Sequence, residues 1–389
     1  MLSPVGDKLT FQAGQGLPAL EQLLPDWYAL LESMPDARFN HFPEWYRAYL
    51  SSLESDPNRV WFVSARRNQH LVAIFPMHFQ DFRAGAFRPR MLGTIDDDQM
   101  QLSDFIFPQT VENAGLLNEL TAWLRSEGGL RWDELRLRQV SAESSIAYAA
   151  RARLPKATAA LEYFTSAYFE ANGTYEHATK AMTSKFKSNL RRRNRIAEQS
   201  APLQLRVYRR PEELDRAFEI FLELEASGWK GAAGTSSAIR CQPSMLGFYA
   251  NLVREFSARD ACVINLLWHG EQAVAGQFCL QVRRTLYILK VGFSEAHAQF
   301  APGILLLERV LQQACEDPGI DVLHLVNEPP WAKFFRPLVV GVWSYCAPNW
   351  TLRGMLVHLG LLLKRKKEGL KAAMMSTPMD KPQGQREAD

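Results

Sequence analysis

The chain reads as an α/β (α+β) protein whose mixed sheet is flanked by helices, and three observations lead there. Two amphipathic helical stretches precede a meander of three apolar strands. A loop holding Gly292, Pro302 and Gly303 then opens an apolar helix. A further strand follows that helix, so helices and strands alternate around one core.

The elements follow in order. Val60 to Ala65 and His70 to Phe79 are apolar strands joined by the turn Arg66 to Gln69. A helix near Glu112 to Arg125 and a strand Glu134 to Leu137 come next. Pro211 suits a first helical position, Glu212 and Glu213 favour the positive end of the dipole, and Leu214, Phe218, Phe221, Leu222 and Glu225 share one face. A second helix spans Pro243 to Phe256. Strands Cys262 to Trp268, Ala273 to Val282 and Leu286 to Val291 form the meander, turning at His269-Gly270-Glu271 and Arg283-Arg284. The apolar helix starts at Pro302, and strand Val322 to Val326, a short helix near Ala332 to Phe335 and strand Val339 to Cys346 follow. The early hairpin WFVSARRNQHLVAIFPM mirrors the later VINLLWHGEQAVAGQFC, which suggests a duplication. Where the second copy has its glycine-bearing loop, the first has the acidic IDDDQMQLSDF, so only the second is expected to keep an anion site.

At 389 residues the chain is too long for one ordinary core. The expected division is 1–165, 166–355, and a basic helix with a disordered tail over 356–389. A composition of 47% hydrophobic and 22% charged residues is that of a soluble globular protein, and a net charge of +3 by itself implies no nucleic-acid partner. Five cysteines without a C-x-x-C pair suggest reduced thiols and a cytoplasmic location, and neither an export signal nor a membrane span is visible.

The start of the Pro302 helix carries no Ser, Thr, Asp or Asn cap and no acid in its first turn. Its backbone N–H groups and dipole suit a phosphate or pyrophosphate, and water is the plainer occupant. The words NLRRRNR (Asn189 to Arg195), LEASGWKGAAGTSS (Leu224 to Ser237) and KVGFSEAHAQFAPGILLLE (Lys290 to Glu308), with HFPEWYRAYL near the start, resemble the CelD/BcsL-like branch of the GNAT acyltransferases. That branch is related to the FemAB aminoacyl transferases and associated with cellulose and exopolysaccharide production. The resemblance implies tandem GNAT-like domains, each a mixed, mostly antiparallel sheet, with an acetyl-CoA or other acyl-CoA site in the second copy. The sheet would splay between the meander's last strand and the next. Pyrophosphate would take the N–H groups around Phe300, Ala301, Gly303 and Ile304, and a backbone N–H near Val291 would steady the oxyanion. Two departures stand out: a single Gly303 after Pro302, where relatives are richer in glycine, and EPPWAKFF (Glu328 to Phe335), where many members have a Tyr-Lys pair.

Acyl transfer needs a deprotonated nucleophile, and His324 and Glu328 are the best-placed potential bases. His324 alternates with Val322 and Val326, a pattern that fits a satisfied core histidine better than a catalytic one. Trp229 and Lys230, between Gly228 and Gly231, are candidates to wall the substrate cleft and bind an anionic group. The run Lys180, Lys185, Lys187, Arg191, Arg192, Arg193 and Arg195 would serve a CoA phosphate, an anionic acceptor or tRNA, unless it is simply a solvated helix face. MLVHLGLLL followed by Lys364 to Lys367 suits weak contact with a membrane surface or packing on the chain's own body. Asp96-Asp97-Asp98 lacks partner ligands, so no metal is expected.

These readings favour a cytoplasmic acyl-CoA-dependent N- or O-acyltransferase, an acetyltransferase first of all. It would act on a sugar or polysaccharide precursor by direct transfer. The alternatives are a FemAB-like aminoacyl-tRNA-dependent transferase and a non-catalytic accessory protein of exopolysaccharide biosynthesis.

Overall fold

The computed structural model describes residues 9–83, 88–95, 97–154, 158–228, 230–231 and 234–375. The first half runs β1 (Leu9–Gln15), α1 (Gly16–Glu32), α2 (Pro43–Ser52), β2 (Val60–Arg67), β3 (His70–Gln80), β4 (Met91–Gly93), α3 (Leu116–Ser126), β5 (Glu134–Ser141), α4 (Ser145–Ala152) and β6 (Ala159–Glu170). The second runs α5 (Tyr175–Ala178), α6 (Ser184–Glu198), β7 (Leu203–Tyr208), α7 (Pro211–Ala226), α8 (Pro243–Ser257), β8 (Cys262–His269), β9 (Gln272–Val282), β10 (Thr285–Phe293), α9 (Pro302–Glu316), β11 (Val322–His324), β12 (Leu338–Pro348) and α10 (Leu352–Met375).

All twelve strands join one sheet in the order β1-β2-β3-β4-β5-β12-β6-β11-β10-β9-β8-β7. Among the named strands of the described residues, only β4 with β5 and β10 with β11 pair in parallel. The order repeats about the central β12–β6 pair: β1-β2-β3-β4-β5 on one side, β7-β8-β9-β10-β11 on the other. The sixth strands are exchanged. β6, which follows the first copy in sequence, lies against β11, and β12, which follows the second, lies against β5. The expected boundary between 165 and 166 falls inside β6, and that between 355 and 356 falls inside α10.

Both faces of the sheet are covered. On one, α1 and α2 meet α7 and α8 in a single core drawn from both halves. Its seam is aromatic: Phe39 sits 4.7 Å from Trp45 and 4.9 Å from Tyr287, and Trp45 sits 5.1 Å from Phe248, ring centre to ring centre. Edge-on geometry at such distances adds to the burial of the rings themselves. On the other face α3 and α4 cover the first copy, and α6 and α9 cover the second.

Three elements differ from expectation. β11 stops at His324 because Val326 takes a left-handed backbone (φ 64°). The expected helix at Ala332 is a 3-10 turn, Pro330–Phe335, and the one at Glu112 splits into a 3-10 turn and α3. β1, α1, β6 and β7 were not read from the sequence at all.

Candidate active site between the parted strands

The site begins where two neighbouring strands separate. β10 and β11 pair only from Thr285–Val322 to Tyr287–His324. β10 then bulges between Ile288 and Lys290 while staying paired to β9. A bulge adds local twist and re-aims the strand. The segment after β11 follows β6 instead: Leu325 N–H donates to the Ala167 carbonyl (2.8 Å), and Ala167 N–H donates to the Asn327 carbonyl (3.3 Å). The edge of β10 from Ile288 to Phe293 is therefore left without a β11 partner.

The first copy shows what closes such a gap. A Cβ built on Gly93 of β4 would lie 1.7 Å from the Arg136 carbonyl oxygen, so only glycine permits the approach of β5. Gln80 Nε2 then donates to the carbonyls of Thr94 (2.8 Å) and Arg136 (3.1 Å), and Arg138 N–H donates to Thr94 Oγ1 (2.9 Å). The first copy is stitched shut; the second is open.

Beside the parting lies a cavity of 820 Å³, walled by Asp98, Gln101, Gln139, Thr165, Asn327 and Glu328 among others. Glu328 is 21% exposed at its side chain; its Oε2 accepts from the Thr165 hydroxyl, and Lys333 Nζ stands 3.9 Å from its Oε1. Gln139 has a positive φ of 57°, and its buried amide oxygen has no hydrogen-bond partner among the described residues. An unpaired buried acceptor costs free energy until a donor reaches it. The wall is thus suited to a ligand rich in hydroxyl or amine donors. Pro329 and Pro330 stiffen the turn that carries Glu328.

At the far end of β10, Phe293 abuts α9: a Cβ on Gly303 would lie 3.7 Å from the Phe293 ring. Ala301 caps α9 in a left-handed conformation (φ 52°) with no side-chain cap. The N–H groups expected to be free here are not all free. Ala301 N–H donates to the Ala298 carbonyl (3.0 Å) and Ile304 N–H to the Ala301 carbonyl (3.0 Å). Phe300 is buried against His269 and His297. Gly303, the second residue of α9, has no carbonyl of that helix within reach of its N–H, and this N–H and the helix dipole are the candidate anion-binding elements.

His324 is buried, and its Nδ1 accepts the Val326 N–H (2.9 Å). Burial, helped by the Arg38 guanidinium, pushes its pKa down to about 3. With the acceptor nitrogen occupied and the ring neutral, the geometry argues for a framework role and against a base. Lys230 Nζ lies 3.4 Å from Glu225 Oε1 and 3.3 Å from the Val291 carbonyl, tying α7 to β10. Glu225 in turn is buried and accepts the Ile239 N–H (2.8 Å). Trp229 lies outside the described residues. Val291 is half-buried against α9's core.

Lys290, at the bulge, was not singled out by sequence. It lies 5.7 Å from the Tyr249 ring centre. Burial and the Lys230 ammonium hold its amine below the usual lysine range, partly offset by Glu225, Asp98 and Asp97. Asp98 also lines the cavity. Thr165, on the unread strand β6, and Gln139 were also missed; a single polar side chain on a half-buried strand leaves no signal of its own. Three of the cysteines are not nucleophile candidates: burial pushes the Cys262 thiol up to about 12 and Cys279 higher still, and Cys346 is buried. Among the described residues no group of three or more His, Cys, Asp or Glu could hold a metal ion, and Asp96 lies outside them.

Residues 184–329, from the start of α6 to just beyond Glu328, match the model of the acetyltransferase (GNAT) domain. The matched stretch contains the bulge, the α9 N-terminus and the parted strand. No curated protein matches the chain. Among solved structures, FemX is similar over 86% of this chain and 97% of its own, at a TM-score of 0.56 and 9% identity. The L-PGS of Bacillus licheniformis is similar over 86% and 95%, at a TM-score of 0.50 and 12% identity. At these identities the likeness is one of fold: a GNAT-like acyltransferase fold.

Proposed function

We propose that the chain is an acyl-CoA-dependent N- or O-acyltransferase that transfers an acetyl or related group directly to a sugar or polysaccharide precursor. The carrying observation is the parting of β10 from β11 after three paired residues, with the uncapped start of α9 at the end of the freed strand. Acyl-CoA would bring an activated thioester carbonyl. Gly303 N–H and the α9 dipole would hold its pyrophosphate, and the free edge of β10 near Val291 would line its arm. The acceptor would lie in the polar cavity, where Gln139 can accept from a hydroxyl and Glu328 can take the proton of the attacking amine or hydroxyl. Thr165 and Lys333 orient that carboxylate. Burial holds the Cys262 and Cys279 thiols protonated, in keeping with attack without an acyl-enzyme. The cytoplasmic setting belongs to this same proposal.

E328Q tests it. The amide keeps an acceptor for Thr165 but loses basicity, so kcat should fall on the order of 10²–10⁴-fold with donor affinity nearly unchanged. An unaltered kcat would remove Glu328 from the chemistry.

A second reading keeps the site and changes the donor to aminoacyl-tRNA. The exposed cationic face of α6, with Lys185, Arg191, Arg192 and Arg195, supports it.

A further inference from the structure

The last described helix carries two apolar faces, and only one of them is covered. α10 is fixed to the body through Arg353, whose Nε lies 3.1 Å from Asp133 Oδ2, and through His358 Nδ1, 3.5 Å from the buried Glu134 Oε2. Gly354 makes the approach possible, since a Cβ there would lie 2.7 Å from the Asp133 carbonyl oxygen. Val357 and Leu361 complete this inner face, packing with Met91. The outer face is built from Leu352, Met355, Leu356, Leu359 and Leu363, exposed by 80%, 47%, 62%, 56% and 54%. Their spacing of three and four residues places them in one stripe of the helix. Just before it, Trp350 is 56% exposed.

We propose that α10 docks on an anionic membrane surface through this stripe. The residues in the stripe offer a partner no hydrogen bonds, only flexible apolar side chains. The same helix continues at once into Lys364, Arg365, Lys366 and Lys367. Apolar surface followed directly by clustered cations complements acyl chains beneath anionic headgroups. The helix lies on the surface and does not span the bilayer: among the described residues no helix is long and apolar enough to cross one. Because α10 is held by its opposite face, docking needs no rearrangement of the fold.

The test is co-sedimentation of the full chain with vesicles of equal parts phosphatidylglycerol and phosphatidylcholine, and with phosphatidylcholine alone. Binding is expected to the anionic vesicles, weaker by at least about tenfold on neutral ones and falling with salt. L356Q/L359Q should weaken it on the order of tenfold or more while circular dichroism and Tm stay those of the wild type, since both positions are exposed. R365E/K366E/K367E should weaken it by at least as much. Absence of binding, or binding indifferent to both variants, would overturn the proposal. So would a stable dimer by light scattering that L356Q/L359Q dissociates, which would assign the stripe to a second copy of the chain.

Discussion

Two residues four positions apart in sequence end in different chemical states, and their surroundings decide which. Glu328 keeps contact with the cavity and a hydroxyl donor, whereas His324 is sealed under Tyr168 and Tyr287 with its Nδ1 occupied. The sealed histidine carries a pH signature. Its folded pKa of about 3 lies below the ordinary 6.5, so the unfolded chain binds the proton more tightly. Its contribution is present above pH 6.5 and is lost as pH falls toward the folded value. Between pH 7 and pH 5 the wild type should lose roughly 2 kcal/mol through this group. Urea unfolding of wild type and H324Q at both pH values measures it: the variant should lack that increment, and equal losses would show that His324 does not titrate on unfolding. Sequence alone named both residues and left the histidine between base and core, because strand alternation gives the face but not the hydrogen bond. Gln139 and Lys290 were not legible, since their importance comes from a positive φ and from neighbours far away in the chain.

At the scale of elements, two glycines near the site serve different purposes. A Cβ on Gly292 would lie 2.7 Å from the Glu225 Cα, so α7 crosses β10 at backbone distance. G292A should therefore cost ~1–3 kcal/mol through overpacking, read as a lower urea midpoint. Gly303 has only an ordinary contact there, so G303A should leave stability nearly unchanged; equal destabilisation of both would contradict the geometry. The helix starts at Pro211, Pro243 and Pro302 and the strands of the meander were legible because proline placement and apolar runs are local signals. β6 and β7 were not. Each is bounded by weak turn signals, and each owes its place to partners distant in sequence, β12 and β8.

The whole molecule is two copies of one plan that have traded their last strands. β12 fills the edge of the first copy and β6 that of the second, so neither half completes its own sheet. Residues 1–165 made alone would leave β5 as an unpaired edge with the cut inside β6, and unpaired edges invite association. That fragment should be found in the insoluble fraction or as oligomers by size exclusion, and rescued by co-expression with residues 166–355; a soluble folded monomer would mean that the exchange is dispensable. The repeat also explains why one copy alone is a candidate for chemistry: Gly93, Thr94 and Gln80 close in the first the gap that stays open in the second. The sequence pattern led to an anion site expected in the second copy alone, from its glycine-bearing loop, and gave no sign of the strand exchange, which no local signal encodes.

The claim on which the rest depends is that the open gap binds an acyl-CoA with its pyrophosphate at α9. Calorimetric titration with desulfo-CoA, on wild type and on G303L, addresses it directly. The Leu side chain would crowd the Gly303 N–H in the first turn of α9, and its Cβ would make only an ordinary contact with the Phe293 ring. Saturable binding to the wild type is expected, weakened at least about tenfold in G303L, which is ~1.4 kcal/mol or more. No binding to the wild type, or equal binding to both proteins, would contradict it, and a salt-dependent affinity for tRNA in its place would move the donor to the second reading.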